Sequence, residues 1–342
     1  MNRIKTAIAS FGIAAGMVVG AQGAMAQNVP VKLTLDWKFE GPAAPFLVAA
    51  EKGYFAEEGI NITIDSGNGS SGAVTRVASG AYDIALADIN SLIEFNDQNP
   101  GNKLQAIFVV YDVAPFAIFS LKKTGIDSPA ELSGKTLGAP VFDAPRKLFP
   151  AFAQAVGVDV GAVTWKSMDP PLREPMLVRG DVDAISGFYF TSLLNLKAQG
   201  IKEEDLNVFH YADSGLSLYS NAVIPSAKMK AEHPEALKGF LRAVARGWAD
   251  VIADPEAGIQ AVKKRDPLIN EALELERLHM VINNNVLTDD VKANGMGGVT
   301  EARLAANIEL VTLGFGLSRK PDLNEVFDDS FMPAKEERML TR

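Results

Sequence analysis

The sequence contains no cysteine and only three histidines. Without thiols there is no disulfide scaffold, no Cys-ligated zinc or iron–sulfur centre, no thiol nucleophile and no lipid-anchored N-terminal cysteine. His210, His233 and His279 stand apart, and none has a second histidine or a carboxylate at metal-ligand spacing with a helical or hairpin reason to converge, so neither a metal nor a cofactor is expected. Basic residues are in deficit, 33 Lys and Arg against 42 Asp and Glu for a net charge of −9, and no basic cluster appears. That balance argues against a nucleic-acid partner. There is no G-x-S-x-G elbow, no H-E-x-x-H and no G-x-G-x-x-G opening a helix behind a strand. Ser133-Gly134-Lys135-Thr136 ends like a phosphate loop, but Pro129 stands where that motif needs its first glycine, so it reads as a turn before a strand. Asp181 and Asp183 have no neighbouring acid or base and read as solvated charge. No catalytic constellation is visible, and an enzyme is not expected.

What is present begins with an address. Arg3 and Lys5 precede an uncharged run from Ile8 to Val19, followed by Ala24-Met25-Ala26. This is the pattern of a secretory signal peptide cleaved after Ala26, because the apolar run is short of the ~20 residues that span a bilayer. With 342 residues and 47% hydrophobic composition, the remaining chain is too long for one small core and suggests two domains.

Strand and helix periods alternate from the start of the mature chain. Val31, Leu33 and Leu35 alternate with polar residues, Phe46 to Ala50 is a continuous apolar block, and Ile60, Ile62 and Ile64 alternate again. Ser70 is placed to cap a helix bearing Ala73, Val74, Val77 and Ala78, with Gly80 just past its end. Asp83 to Ala87 reads as a strand, and Ser91-Leu92-Ile93-Glu94 as the capping box of the next helix. This order means parallel crossovers and an α/β sheet. It recurs about a hundred residues on, where Gly180-Asp181-Val182-Asp183 echoes Gly80-Ala81-Tyr82-Asp83 and a strand from Ala162 to Lys166 echoes Ile60 to Ile64. The extended segments Leu104 to Leu121 and Leu206 to Ile224 are placed to cross between the two units. After Pro225 the pattern is helical, with one stripe from Leu237 to Ile252 and another from Leu304 to Phe315 opened by Thr300.

Strand ends followed by capped helices form a binding architecture, since loops and helix N-termini there present unpaired N–H groups. After the first three strands stand Trp37 and Phe39, then Asn68, Ser70 and Ser71, then Asp88 and Asn90. In the second unit stand Phe142, Asp143 and Arg146, then Arg173, then Phe188 and Tyr189. Trp37 and Phe39 suit stacking on a ligand, Ser70, Ser71 and Asp143 are helix caps first, and Phe188 and Tyr189 suit either pocket wall or core. Arg146 and Arg173 lie in first helical turns, where the macrodipole disfavours a cation, so each needs an anion or a neighbouring carboxylate. If Arg146 binds the solute, replacing it weakens binding by ~1.5–3 kcal/mol. Pro150 implies a kink or an early stop in the helix predicted from Pro145 to Val156.

Leu35-Asp36-Trp37, Glu51-Lys52-Gly53-Tyr54-Phe55-Ala56-Glu57-Glu58-Gly59-Ile60, Ala78-Ser79-Gly80-Ala81-Tyr82-Asp83-Ile84-Ala85, Leu132-Ser133-Gly134-Lys135-Thr136-Leu137-Gly138, Val178-Arg179-Gly180-Asp181-Val182-Asp183-Ala184 and Phe327-Asp328-Asp329-Ser330-Phe331 together resemble type II periplasmic solute-binding proteins of ABC importers. Within them the chain is similar to the nitrate, sulfonate, taurine and thiamine-pyrimidine-precursor group. The resemblance implies a two-lobed α/β fold with a two-stranded hinge, near Tyr111 to Ala117 and His210 to Ser214, with Tyr111 added to the site. The implied lobes are 27–113 with 213–342, whose C-terminal helices return to the first lobe, and 114–212. It implies a monomeric periplasmic receptor that closes on a small-molecule solute and hands it to the permease transmembrane subunits. Related enzymes make the thiamine pyrimidine with a cysteine-rich motif that this chain lacks. Where the pyrimidine branch has an Asn-rich turn ending in His, this chain has Lys38-Phe39-Glu40-Gly41-Pro42-Ala43. The expected solute is a small organic anion, of sulfonate, taurine, nitrate or aromatic-acid type, or a flat aromatic or heteroaromatic molecule. A thiamine pyrimidine precursor and a secreted enzyme of the same fold are the alternatives, and a sensor partner shares the same binding chemistry.

Overall fold

The computed structural model describes residues 28–340; the expected signal peptide and its cleavage site lie outside the described residues. The alternation read from Val31 and Leu33 forms β1 (Val29–Thr34), and the alanine-rich block forms α1 (Ala44–Glu51). There follow α2 (Tyr54–Glu57), β2 (Ile60–Asp65), α3 (Ser70–Ala78), β3 (Ile84–Asp88), α4 (Ile89–Gln98) and the short β4 (Phe108–Val109). The chain then leaves for a second lobe of β5 (Phe116–Leu121), β6 (Thr136–Ala139), α5 (Ala144–Val156), β7 (Thr164–Ser167), α6 (Arg173–Arg179), β8 (Ala184–Phe188), α7 (Tyr189–Ala198) and β9 (Leu206–His210). It returns as β10 (Asn221–Pro225), and the rest is helical: α8 (Ala227–Glu232), α9 (Pro234–Ala253), α10 (Pro255–Arg265), α11 (Glu271–Val281), α12 (Asp289–Asn294), α13 (Glu301–Phe315) and α14 (Leu323–Val326).

Two five-stranded sheets result, ordered β2-β1-β3-β10-β4 and β7-β6-β8-β5-β9. In each, the first three strands are parallel and the fourth is antiparallel, β10 against β3 and β5 against β8. The two antiparallel strands each lie next to a crossing between lobes, so the connection is made by the sheets themselves. α9 and α10 pack on α1 of the first lobe, whereas α11 and α13 also reach the second lobe, against α7 and α5.

The repeated Gly-x-x-Asp has a shared mechanical role. Gly80 and Gly180 adopt φ of 77° and 80°, a left-handed turn that glycine takes without steric cost, after α3 and α6. Three residues on, the Asp83 carboxylate accepts the Lys32 N–H of β1 at 2.8 Å while the Asp83 N–H donates to the Lys32 carbonyl at 2.9 Å. In the second lobe Asp183 makes the same pair of bonds with Thr136 of β6, both at 2.8 Å. Asp183 is therefore a sheet lock, while the exposed Asp181 pairs with Arg179 at 2.7 Å.

Local details differ from the sequence reading. Ser70 is the first residue of α3, with Gly69 at the N-cap, and α4 is capped by Asp88, which accepts the Ser91 N–H at 2.8 Å. Both shifts place the chain's turn one to three residues earlier than a capping motif alone suggests. Asp143 occupies the N-cap position of α5 but makes no side-chain cap bond, because its carboxylate is engaged elsewhere. Pro150 lies inside α5 without ending it. Thr300 caps α13, accepting the Arg303 N–H at 3.4 Å.

Candidate functional site

The carboxyl ends of the parallel strands of both sheets face each other, and between them lies a cleft of about 550 Å³ measured to its open mouth. Alternation in β1 ends at Leu35, and the chain then turns through Asp36, Trp37, Lys38 and Glu40, all of which line the cleft. Gly69 and Ser70 join them from the start of α3, and Tyr111 from the first crossing. The second lobe contributes Asp143, Arg173, Phe188, Phe190 and Thr191.

One wall is aromatic. Tyr111 meets Phe188 and Phe190 edge to face, with ring centres 6.4 and 6.2 Å apart, and the Tyr111 hydroxyl has no hydrogen-bond partner among the described residues. Burial, with Asp36 and Glu40 nearby, pushes the Tyr111 pKa well above 10, so it stays a neutral phenol.

The polar groups are mostly acids. Asp36 accepts the Asn221 amide at 2.8 Å, yet burial raises its pKa to about 7, with Asp88 and Glu40 adding to the rise. Glu40 is raised by burial too, against the pull of Arg277, whose Nε lies 3.5 Å away. Asp143, between Arg173 at 3.4 Å and the Ser186 hydroxyl at 3.1 Å, is raised by burial to about 6. The buried cation in the cleft is Arg173, 1% exposed, with Nε and Nη2 each 2.8 Å from Glu174 Oε1. Burial works against its charge, but Glu174 and Asp143 more than offset this and hold its pKa above the usual guanidinium value. Gly187 makes room for it, since a Cβ there would stand 3.0 Å from Arg173 Cζ. Lys38 is half-buried, and its ammonium group makes no hydrogen bond or ion pair among the described residues, while its carbonyl accepts the Glu40 N–H at 2.9 Å.

Contacts across the cleft close the lobes. The Arg173 guanidinium lies 5.0 Å from the Trp37 ring centre, and the Thr191 hydroxyl is 3.4 Å from Glu40. At the lip the Phe142 carbonyl accepts the N–H and hydroxyl of Ser71 at 3.3 and 3.4 Å, and Gly69, at φ 136°, leaves no Cβ to collide with that carbonyl.

Of the residues predicted from sequence, Trp37, Ser70, Tyr111, Arg173 and Phe188 line the cleft. Ser71 and Phe142 form the lip, and Asn68 is exposed beside it. Phe39 lies under Arg265, 4.8 Å from its ring centre, on the first lobe. Asp88 and Asn90 are buried beneath the cleft in a network with Ser91, the Tyr219 carbonyl and Asn307, which ties α4 to the returning strand and α13. Arg146 answers its unfavourable helix position in a third way: it bonds the Ala139 carbonyl and Ser167 at 2.9 and 3.0 Å and lies over Trp165. Tyr189 points into the second lobe, stacking on Phe119, because the step from β8 into α7 turns Phe188 and Phe190 to the cleft and Tyr189 away. Asp36, Glu40 and Phe190 were missed, and the Asp-Trp-Lys-Phe-Glu run at a strand end is the signal that could have found the first two.

A family model described as NMT1/THI5 like matches residues 42–258. The chain belongs to this family. Among its relatives, the riboflavin-binding protein RibY of Chloroflexus aurantiacus is 26% identical, over 85% of this chain and 82% of its own. The formylaminopyrimidine-binding protein of Halalkalibacterium halodurans is 28% identical, over 71% of this chain and 74% of its own. A 4-amino-5-hydroxymethyl-2-methylpyrimidine phosphate synthase of Legionella pneumophila is 24% identical, over 71% of this chain and 76% of its own. The alkanesulfonate-binding protein SsuA of Xanthomonas axonopodis pv. citri, solved with MOPS, superposes with a TM-score of 0.66 at 13% identity, over 88% of this chain and 99% of its own. The fold of the NMT1/THI5-like chain is that of the two-lobed periplasmic binding proteins.

Proposed function

We propose that this chain is the periplasmic receptor of an ABC uptake system, cleaved after Ala26, that encloses a flat nitrogen heteroaromatic solute and releases it unaltered to the permease. The observation that carries this reading is the pairing of an aromatic wall with three buried carboxyl groups, Asp36, Glu40 and Asp143, all raised in pKa. Rings stack on rings, and buried carboxyl groups whose pKa is raised pair with ring nitrogens and amino groups as acceptor or, when protonated, as donor. A small anion of the sulfonate or nitrate type would meet that acid surplus with only Arg173, already paired with two carboxylates, and Lys38 in its favour. The names of the riboflavin- and formylaminopyrimidine-binding relatives support the heteroaromatic class.

On this reading Trp37, Tyr111 and Phe188 stack on the solute, Ser70 and Arg173 hydrogen-bond it, and Asp36 and Glu40 read the ring edge, which their place in the cleft lining supports. The hinge lies in the crossings 110–115 and 211–220. An enzymatic role has a named precedent among the relatives, but a chain without cysteine offers no thiol for it. Thermal shift against riboflavin, aminopyrimidines, aromatic carboxylates, alkanesulfonates and nitrate tests the reading, because a ligand that binds the folded state raises the melting temperature by mass action. A response confined to sulfonates or nitrate would refute the solute class. Mass spectrometry of the incubated solute would refute the receptor role if it showed turnover.

A further inference from the structure

Two buried donors in the cleft, one from each lobe, make no well-formed hydrogen bond: Trp37 Nε1 has no acceptor, and Arg173 Nη2 has only the ion pair with Glu174 at 2.8 Å. Trp37 Nε1 and Arg173 Nη2 are both closed off from solvent and make no hydrogen bond among the described residues, although Nη2 lies close enough to Glu174 to share charge. They belong to the two groups that meet across the cleft, the guanidinium carbon 5.0 Å from the indole ring centre. A buried donor left without an acceptor is a penalty that an exposed one does not incur, because opening the cleft returns it to water. The closed form without solute therefore carries such a penalty at Trp37 and a smaller one at Arg173, whose Nη2 is charge-paired with Glu174 but not hydrogen-bonded.

We infer that the solute bears a hydrogen-bond acceptor, a carbonyl oxygen or its equivalent outside the stacked ring, that bridges Trp37 Nε1 and Arg173 Nη2 and thereby links recognition to lobe closure. This rests on the receptor reading above and names the feature of the solute that closes it. The surroundings set the selectivity. Asp36, Asp143 and Glu174 already supply carboxyl oxygens on this side, so a neutral acceptor is accommodated where an additional full negative charge is opposed. Arg173 is held in place by Glu174 and Asp143, in space that Gly187 leaves open, so the guanidinium is positioned before the solute arrives.

Trp37→Phe keeps the ring and removes one orphaned donor. In the ligand-free protein it should leave the melting temperature unchanged or higher, and small-angle scattering should show a particle at least as compact as the parent. A lower melting temperature together with expansion would mean that the indole N–H is satisfied in the empty closed form, and would overturn the inference. For the solute side, calorimetry compares 4-amino-5-(formamidomethyl)-2-methylpyrimidine with 4-amino-2,5-dimethylpyrimidine, which shares the ring and lacks the carbonyl. The parent should bind the first at least tenfold more tightly, and Trp37→Phe and Arg173→Lys should each erase most of that ratio, with the loss for the first compound clearly exceeding any loss for the second. Equal affinities in the parent, or equal losses for both compounds, would overturn the inference while leaving the receptor reading intact. If neither pyrimidine binds, the pyrimidine class falls, and the ligand-free measurements on Trp37→Phe decide the inference.

Discussion

Raising the pH from 5 to 7 should destabilise this protein, and Asp36 should account for much of the loss. Unfolded, an aspartate of this kind titrates near 3.8; folded, burial raises Asp36 to about 7. Between those values the folded state keeps a proton that the unfolded state has released, so stability falls as pH rises through the window and levels off above the folded pKa. A difference of about 3 pKa units corresponds to ~4 kcal/mol, of which ~2 kcal/mol falls between pH 5 and 7, since the folded group is half ionised at pH 7. At roughly 2–4 °C per kcal/mol, the melting temperature should drop on the order of 4–8 °C. Asp88 and Asp143, both raised by burial to about 6, add to the drop in the lower half of the window. His210, lowered by burial, acts in the opposite direction below its usual pKa. The depressed carboxylates Glu325, Glu271 and Asp250 matter only below their unfolded values and leave the window clear. Scanning calorimetry of the parent and Asp36→Asn at pH 5, 6, 7 and 8 measures this. The variant should match the parent at pH 5, exceed it at pH 8 and have a shallower slope. A parent melting temperature that is flat or rising from pH 5 to 7, or an unchanged slope in Asp36→Asn, would refute the reasoning.

Arg146→Met should leave solute affinity within about twofold, measured by calorimetry, while lowering stability by ~1 kcal/mol through loss of its stacking on Trp165 and its two hydrogen bonds. Arg277→Met should cost ~3–5 kcal/mol in urea unfolding, because it leaves Glu274 and Glu40 buried without their cation. Adding Glu274→Gln to that variant should recover part of the loss. Asp83→Ala and Asp183→Ala should each cost ~1.5–3 kcal/mol, similar in the two lobes, since each removes one charge-assisted bond to a neighbouring strand; hydrogen exchange at Lys32 and Thr136 reports each lobe separately.

Periodic elements were legible because burial imposes their period. β1, β2 and α13 need only one buried face each, and the residues carrying that face stand at spacings of two or of three and four. The repeat was legible as an order of elements, while the role of its Asp depended on a backbone N–H dozens of residues away. The site was legible by location, at strand ends, but not by side chain. Arg146 and Arg173 occupy equivalent first-turn positions, yet one lies beside Trp165 on an edge strand and the other beside Gly187 in the cleft wall. Nothing local distinguishes them. Phe188, Tyr189 and Phe190 are consecutive, and the junction of strand and helix decides which two face the cleft. The Glu40–Arg277 pair joins residues far apart in the chain through α11, which lies in neither of the two helical stripes that periodicity marks after Pro225.

The lobes are held together unequally around the cleft. On one side Arg277 donates to the Phe190 and Thr191 carbonyls at 3.1 Å and to Asn195 at 2.9 Å, while its partner Glu274 accepts the Gly41 N–H at 2.6 Å. That cluster is buried, mutually paired and complete without a solute. Behind it α13 lies against α5, and Lys147 reaches Glu94 of the first lobe at 3.2 Å. At the mouth the balance is reversed: the lip is a single carbonyl shared by two long hydrogen bonds, and the residues just inside it are raised carboxyl groups and unspent donors. A solute can shift a conformational equilibrium only by what it binds differently in the two states. On the receptor reading, the Arg277 cluster offers the solute only Glu40, so the free energy that makes closure depend on solute is concentrated at Asp36, Trp37, Glu40 and Arg173.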